Sequence, residues 1–129
     1  MALRAHAAGL SCVVAAVELL IRHGVWLRRL DFVERFVAVE VDPALVGGTV
    51  LAWVDWVAVV QALAGGQLPC SGSEKQLLLI VASLAEGVPV DLSEALSGLD
   101  QANLARVAGA VLAAGGHCEA EGLAETVWR

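Results

Sequence analysis

The spacing of apolar and polar residues predicts helices along most of the chain, most clearly from residue 73 to residue 116. Two long apolar helices flank a short one there. The apolar side chains of the first helix recur at helical spacing on one face: Leu77, Ile80, Val81 and Leu84. Gly87 and Pro89 predict its end, because glycine accepts the left-handed conformation that closes a helix and proline cannot continue the hydrogen-bond ladder.

Capping residues mark the starts of these helices. Ser73 stands three residues before a glutamine, which is the spacing of a capping box, and Asp91 stands three residues before a glutamate. The short helix is predicted to end at Gly98, and Asp100 is predicted to begin the last long helix. A pair of glycines, Gly115 and Gly116, predicts where that helix ends.

The last helix has two different sides. Its larger apolar residues form one predicted inward stripe: Leu104, Val107, Val111 and Leu112. The reverse side is built from small residues: Ala102, Ala105, Gly109 and Ala113. Small side chains let a second helix come close, so this side predicts a tightly packed helix pair, either within the chain or across a dimer.

The first half of the chain predicts two further helices. One runs from Ser11 to about His23, and its inward residues are Val13 or Val14, Val17, Leu20 and Ile21. The next can break at Leu30–Asp31, and its inward residues are Trp26, Leu30, Val33 and Val37. Three arginines lie away from that stripe and are expected to face water: Arg28, Arg29 and Arg35.

Residues 37–54 carry β-branched side chains at alternate positions, with turn residues between the two runs. This pattern favours a small two-stranded ribbon. A short helical turn capped by Asp42, with Pro43 in its first position, is the alternative. Because a lone hairpin is marginal in water, a ribbon here is expected to lie on the helices.

Asp55 predicts the start of another helix, which ends before Gly65 and Gly66. Its inward residues are Trp56, Val59, Val60 and Leu63. The predicted fold is therefore mainly α: one domain over residues 1–129, with five or six helices and one small ribbon at about 37–54. Residues 1–10 are expected to be a frayed lead-in, and residues 117–129 an acidic tail.

The composition is unusually apolar. Hydrophobic residues make up 58% of the 129 residues, and the mean hydropathy is +0.73; an ordinary domain has about 45–50% apolar residues. Either the domain buries more than a monomer of this size usually can, or a partner covers one face. We therefore expect a homo-oligomer, most simply a dimer, or a subunit that docks a protein partner through an apolar helical face.

The formal net charge of −6 is unevenly distributed. Residues 1–36 carry five basic and three acidic groups, whereas residues 37–129 carry three basic and eleven acidic groups. This balance argues against general binding of phosphates, so a nucleic-acid partner is not expected. No charge-free run reads as a membrane span.

Residues that could carry chemistry are few. All five aspartates stand where a helix or turn should begin, and the glutamates form no acid–base pair on an apolar face. The histidines and cysteines lack zinc-site spacing; the candidate ligands are His117 and Cys118 with Cys70, Cys12, His6 or His23. The sequence therefore predicts no catalytic group, cofactor or metal, and leans against an enzyme.

Two features give alternative functions. Cys70 precedes a predicted helix start, where free amides and the helix dipole could lower a thiol pKa or hold a small ligand. Residues 91–114 have the outline of a helix-turn-helix whose second helix opens with Gln101, Asn103 and Arg106. A dimeric DNA-associated regulator would then hold phosphates with its arginines: Arg22, Arg28, Arg29 and Arg35.

Four tryptophans are many for a chain without tyrosine. Trp26 and Trp56 fall on predicted inward stripes, whereas Trp53 and Trp128 are free to anchor an interface. The predicted interface residues are therefore Trp53, Ala105, Gly109, Ala113 and Trp128. An odd count of three cysteines without a pattern is typical of reduced thiols in a cytoplasmic protein. A cleaved signal peptide at the N-terminus is the alternative to a first core helix.

Five segments carry a resemblance: VELLIRHGVWLRR, AWVDW, LPCSGSE, GVPVDL and GLD. In this combination, over about residues 18–117, the chain resembles a group of small uncharacterised helical proteins from high-GC actinobacteria. No activity is known for that group, so the resemblance implies a cytoplasmic bacterial protein and no site residues.

Overall fold

The computed structural model describes residue 3 and residues 11–42 and 49–116. Its elements in chain order are α1 (Ser11–His23), a 3₁₀ turn (Trp26–Arg28), α2 (Leu30–Phe36), β1 (Val37–Asp42), β2 (Thr49–Val54), α3 (Trp56–Ala64), α4 (Gly72–Glu86), α5 (Leu92–Ser97) and α6 (Gln101–Ala114). The predicted class, mainly α with one small ribbon, is confirmed. Apart from Leu3, the predicted lead-in and the predicted tail lie outside the described residues. Within them, no helix has both the length and the apolar character to cross a membrane.

Helix α1 is the centre of the fold. Ala16, Leu19 and Leu20 have no exposed surface, and α1 makes its most extensive contacts with α4 and α6. Val17 and Leu20 are buried as predicted. Of the two alternatives at the start of the helix, Val13 packs on the core, whereas Val14 is exposed. A helix that is apolar around most of its circumference needs neighbours on more than one side.

The three helices meet at a shared end. His23, the last residue of α1, lies in the electrostatic environment of Glu74 at the start of α4 and of Asp100 and Arg106 at the start of α6. Helix α1 therefore runs antiparallel to α4 and α6. In this arrangement the negative end of one helix dipole faces the positive ends of two others.

The second predicted helix is interrupted at Arg29, next to the break predicted at Leu30–Asp31. The 3₁₀ turn ends at Arg28, Arg29 is extended, and α2 begins at Leu30. Trp26 and Phe32 are fully buried with ring centroids 5.5 Å apart, and Phe32 continues the stack to Phe36 at 5.7 Å. Leu30, predicted to point inward, is instead highly exposed, because the break removes the periodicity that linked it to Trp26.

The arginines of this segment were expected to face water. Two of them, Arg29 and Arg35, also form hydrogen bonds to another part of the chain. Arg29 pairs with Asp31, lies 4.7 Å from the centre of the Trp26 ring, and donates from Nη1 to the carbonyl of Pro69 at 2.7 Å. Arg35 donates to the side-chain oxygen of Gln67 at 3.2 Å. Both arginines therefore fasten the loop that leads into α4.

The predicted ribbon is confirmed. Strands β1 and β2 are antiparallel, with Val37 opposite Val54 and Val39 opposite Ala52. Ala52 and Val54 are buried, which attaches this end of the ribbon to the helical core. The alternative of a helical turn at Pro43 falls outside the described residues.

The predicted aspartate caps are confirmed at three helices. The side chain of Asp55 accepts from the amide of Ala58, and Asp91 and Asp100 make the same bond three residues ahead. The predicted cap at Ser73 is wrong. Helix α4 begins two residues earlier, and its capping box pairs Ser71 with Glu74. Gly87 closes this helix in the left-handed conformation, at φ 70°, as predicted.

We expect the substitution Ser71→Ala to lower the free energy of unfolding by about 1 kcal/mol, because it removes one bond of the capping box. The measurement is urea denaturation followed by circular dichroism. Ser93→Ala is the matched control, since Ser93 is an exposed serine near the start of α5. An equal effect of the two substitutions would contradict the assignment of Ser71 as the cap.

Candidate association surface

The predicted small-residue side of α6 is only partly inside the protein, because Ala102 is exposed and Ala105 and Ala113 are half-buried. Gly109 and Ala110 are buried, and the main neighbour of this helix within the described chain is α1. Val107 is buried as predicted. The predicted inward stripe is otherwise wrong, because Leu104 is 38% exposed and Val111 is 57% exposed. Helix α6 therefore packs on α1 within the chain, and the predicted role of its small residues in a tight helix pair stays a prediction.

Two of the larger apolar residues of α6, Leu104 and Val111, are exposed at the surface. We define the outward face of α6 as six exposed or half-buried residues that adjoin one another on one side of the helix: Gln101, Leu104, Ala105, Ala108, Val111 and Leu112. None of them is charged. A surface helix usually turns its apolar stripe to the core and its charged residues to water. Here the apolar stripe is left at the surface.

Helix α5 repeats this inversion on a smaller scale. Its buried residue is Ala95, whereas Leu92 and Leu96 are exposed. Both leucines lie on one side of the helix, since they are four residues apart. Two consecutive helices thus bury alanine and expose leucine.

The predicted interface residues have different environments. Gly109 is buried, so it is not available at the surface, and Ala105 and Ala113 are half-buried. Trp53 lines a cavity of about 260 Å³ between α1, β2 and the end of α4, together with Val17 and Ala85. Trp53 is therefore half-buried rather than a protruding anchor. Trp128 lies outside the described residues.

Two of the three base-reading residues of the predicted helix-turn-helix, Asn103 and Arg106, are held by the protein itself, whereas Gln101 is exposed. The helices and the turn of residues 91–114 exist, but Asn103 is only 6% exposed. Its side-chain nitrogen donates to Ser73 Oγ at 3.2 Å, and its oxygen accepts from Arg106 Nη1 at 2.8 Å. Asn103 and Arg106 thus join α6 to the start of α4.

Two of the four arginines proposed to hold phosphates are bonded to other parts of the chain. Arg29 and Arg35 are bonded to the loop before α4, and Arg29 also pairs with Asp31. Asp91, Glu94 and Asp100 cap or flank the helices of the supposed recognition unit. This geometry gives no support to a DNA-reading surface.

Cys70 packs against the core beside the start of α4. Burial raises the pKa of its thiol, and the nearby Glu74 carboxylate raises it further, while Arg29 and Lys75 oppose these effects. The thiol is therefore less ionised than a free cysteine, which is the opposite of what a reactive thiolate needs. The capping box already uses two of the amides at this helix start, those of Ser71 and Glu74.

His23 is the other polar side chain of interest, after Cys70. It lies at the end of α1, near the starts of α4 and α6. The ring of His23 is half-buried, and its Nδ1 atom is buried without a hydrogen-bond partner among the described residues. Burial lowers the pKa of His23, and the charge of Arg106 lowers it further, against the smaller influences of Glu74 and Asp100. This histidine is therefore held in its neutral form.

No grouping of histidine, cysteine and acidic side chains that could hold a metal occurs in the part of the chain that the structure describes. Of the candidate ligands, Cys12, His23 and Cys70 are described, and the two cysteines are free thiols. His6, His117 and Cys118 lie outside the described residues. The candidate functional feature that the geometry presents most clearly is thus the outward face of α6.

Comparison with known proteins adds no assignment: no family model, curated protein or solved structure matches this chain. The resemblance to small actinobacterial proteins therefore stays a prediction. Function has to be argued from the geometry alone.

We expect Cys70 to react with iodoacetamide more slowly than a free cysteine at the same pH, because its thiolate is disfavoured. Cys12, which is exposed in the same chain, is the internal control and should be labelled first. Peptide mass mapping over a time course measures both sites. Faster labelling of Cys70 than of Cys12 would restore the reactive-thiol alternative.

Acidification is expected to weaken the fold through His23. Its pKa is lower in the folded than in the unfolded chain, so the unfolded chain binds more protons, and this contribution to stability is lost as the pH falls below about 6.5. The measurement compares the free energy of unfolding at about pH 7.5 and about pH 5.5 for the wild type and His23→Gln. The wild type should lose more stability between these values than the variant; an equal loss would contradict this role of His23.

Proposed function

We propose that this chain is a non-catalytic protein-association domain that covers the outward face of α6 with another protein chain. One observation carries the proposal: α6 leaves two of its larger apolar residues exposed on a side of the helix without charged residues. Leu104 and Val111 stand at the surface in a stripe that lacks any charged side chain.

Covering this face would be energetically favourable. Full burial of a valine or leucine side chain is worth about 1.5–3 kcal/mol, and the isolated fold leaves about half of the Val111 side chain and a smaller part of Leu104 exposed. Leu92 and Leu96 of α5 supply further exposed apolar surface. A partner that buries these side chains recovers free energy that the chain alone does not obtain.

The stripe also has the spacing that helix packing requires. Gln101, Leu104, Ala108 and Val111 follow one another at steps of three, four and three residues. This is the spacing of a seam between two helices. The chemistry that fits the face is therefore an apolar helix.

The unpaired thiols of Cys12 and Cys70 support a reducing, cytoplasmic setting as part of the same proposal. An association domain needs neither a cofactor nor a metal, so we propose none. The actinobacterial source suggested by the resemblance is compatible with this proposal and does not add to it.

The test is site-specific photo-crosslinking in the cells from which the chain comes. A benzophenone amino acid replaces Val111 in one variant and Val57 in the other. Val57 is the matched control, because it is a helical valine on α3 with 59% exposure against 57% for Val111. We expect protein adducts at position 111 and few at position 57.

The difference between the adducts formed at position 111 and those formed at position 57 decides the test. The capture of any particular protein does not. If position 111 gives no adduct, or if both positions give the same adducts in the same yield, the outward face of α6 is not an association surface. Circular dichroism of both purified variants establishes that the helical content is unchanged.

A further inference from the structure

We infer that the partner on the outward face of α6 is a second copy of this chain, with the two α6 helices antiparallel about a twofold axis near Ala108. This inference rests on the proposed function and specifies its partner. It follows from the symmetry of the stripe, from its charge and from its length.

The stripe is nearly symmetric about its middle. Leu104 and Val111 lie on either side of Ala108, at similar distances along the helix. A twofold axis near Ala108 places Leu104 of one copy opposite Val111 of the other, and this contact occurs twice. The small side chain of Ala108 at the crossing point lets the two backbones come close, and an interface of this kind is self-complementary.

The charge of this face is compatible with self-association. Two copies of a chain with a net charge of −6 repel one another wherever acidic groups meet. The outward face of α6 has no charged residue, so a second copy packed there avoids direct contact between like charges. The antiparallel arrangement also sets opposite helix dipoles side by side.

The length of the helix sets the expected strength. Fourteen residues span about 21 Å, so a single helix pair buries less than the ~800 Å² per partner of a standard interface. We therefore expect a reversible dimer that depends on concentration.

The first experiment is sedimentation equilibrium of the full chain from about 1 μM to about 1 mM, the range in which weak interfaces associate. The wild type should shift from the 13.4 kDa monomer towards twice that mass as the concentration rises. Val111→Glu and Leu104→Lys should each remain monomeric, because a charge would be buried against an apolar partner. Val57→Glu should associate as the wild type does.

The second experiment mixes the two monomeric variants in equal amounts. In the antiparallel geometry the lysine introduced at position 104 of one chain meets the glutamate introduced at position 111 of the other. The remaining contact is the native pair of leucine and valine. The mixture should therefore regain the dimer, whereas neither variant alone does.

A mixture that stays monomeric would overturn the antiparallel pairing, since parallel helices would bring position 104 to position 104. A wild type that is monomeric throughout, or a dimer that survives Val111→Glu, would overturn the inference altogether. These failures are distinct from failure of the proposed function. A monomer whose position 111 still crosslinks to other proteins retains an association surface, but for a different chain.

Discussion

The described fold depends on the burial of α1 between α4 and α6. Ala16, Leu19 and Leu20 are inaccessible to solvent, and α1 contacts both of the long helices that follow it in the chain. Because the three helices meet at one end, that end also holds the polar bonds from Asn103 to Ser73 and from Arg106 to Asn103. Apolar burial along α1 and hydrogen bonds at its end thus fix the same arrangement.

This constraint has a consequence for the surface. Helix α6 has α1 as its main neighbour among the described elements, and its buried residues are Asn103, Val107, Gly109 and Ala110. Its other apolar residues lie on the side of the helix that the described core does not cover. Leu104 and Val111 are exposed for this reason. The apolar excess of the composition is therefore partly internal and partly exposed, on α6 and on other described elements.

Much of the fold was predictable because its signals are local. The caps at Asp55, Asp91 and Asp100 and the limits of the ribbon depend on neighbouring residues, and all were found as expected. The inward side of α6 was not predictable in this way. When both sides of a helix are apolar, spacing alone does not choose between them, and the choice is made by α1, which is distant in sequence. Ser71 and Ser73 posed the same problem, since each precedes a suitable side chain by three residues. The candidate surface thus became visible only once the tertiary packing was known.

We propose that the side chain of Val111 is exposed to solvent in the monomer and buried in the dimer. Solvent paramagnetic relaxation of the valine methyl groups measures this most directly, with a soluble nitroxide or gadolinium probe and increasing protein concentration. The account predicts that the methyl groups of Val111 become protected as the concentration rises, while those of Val57 stay accessible. Continued access of the probe to Val111 at every concentration, or equal protection of both valines, would contradict it.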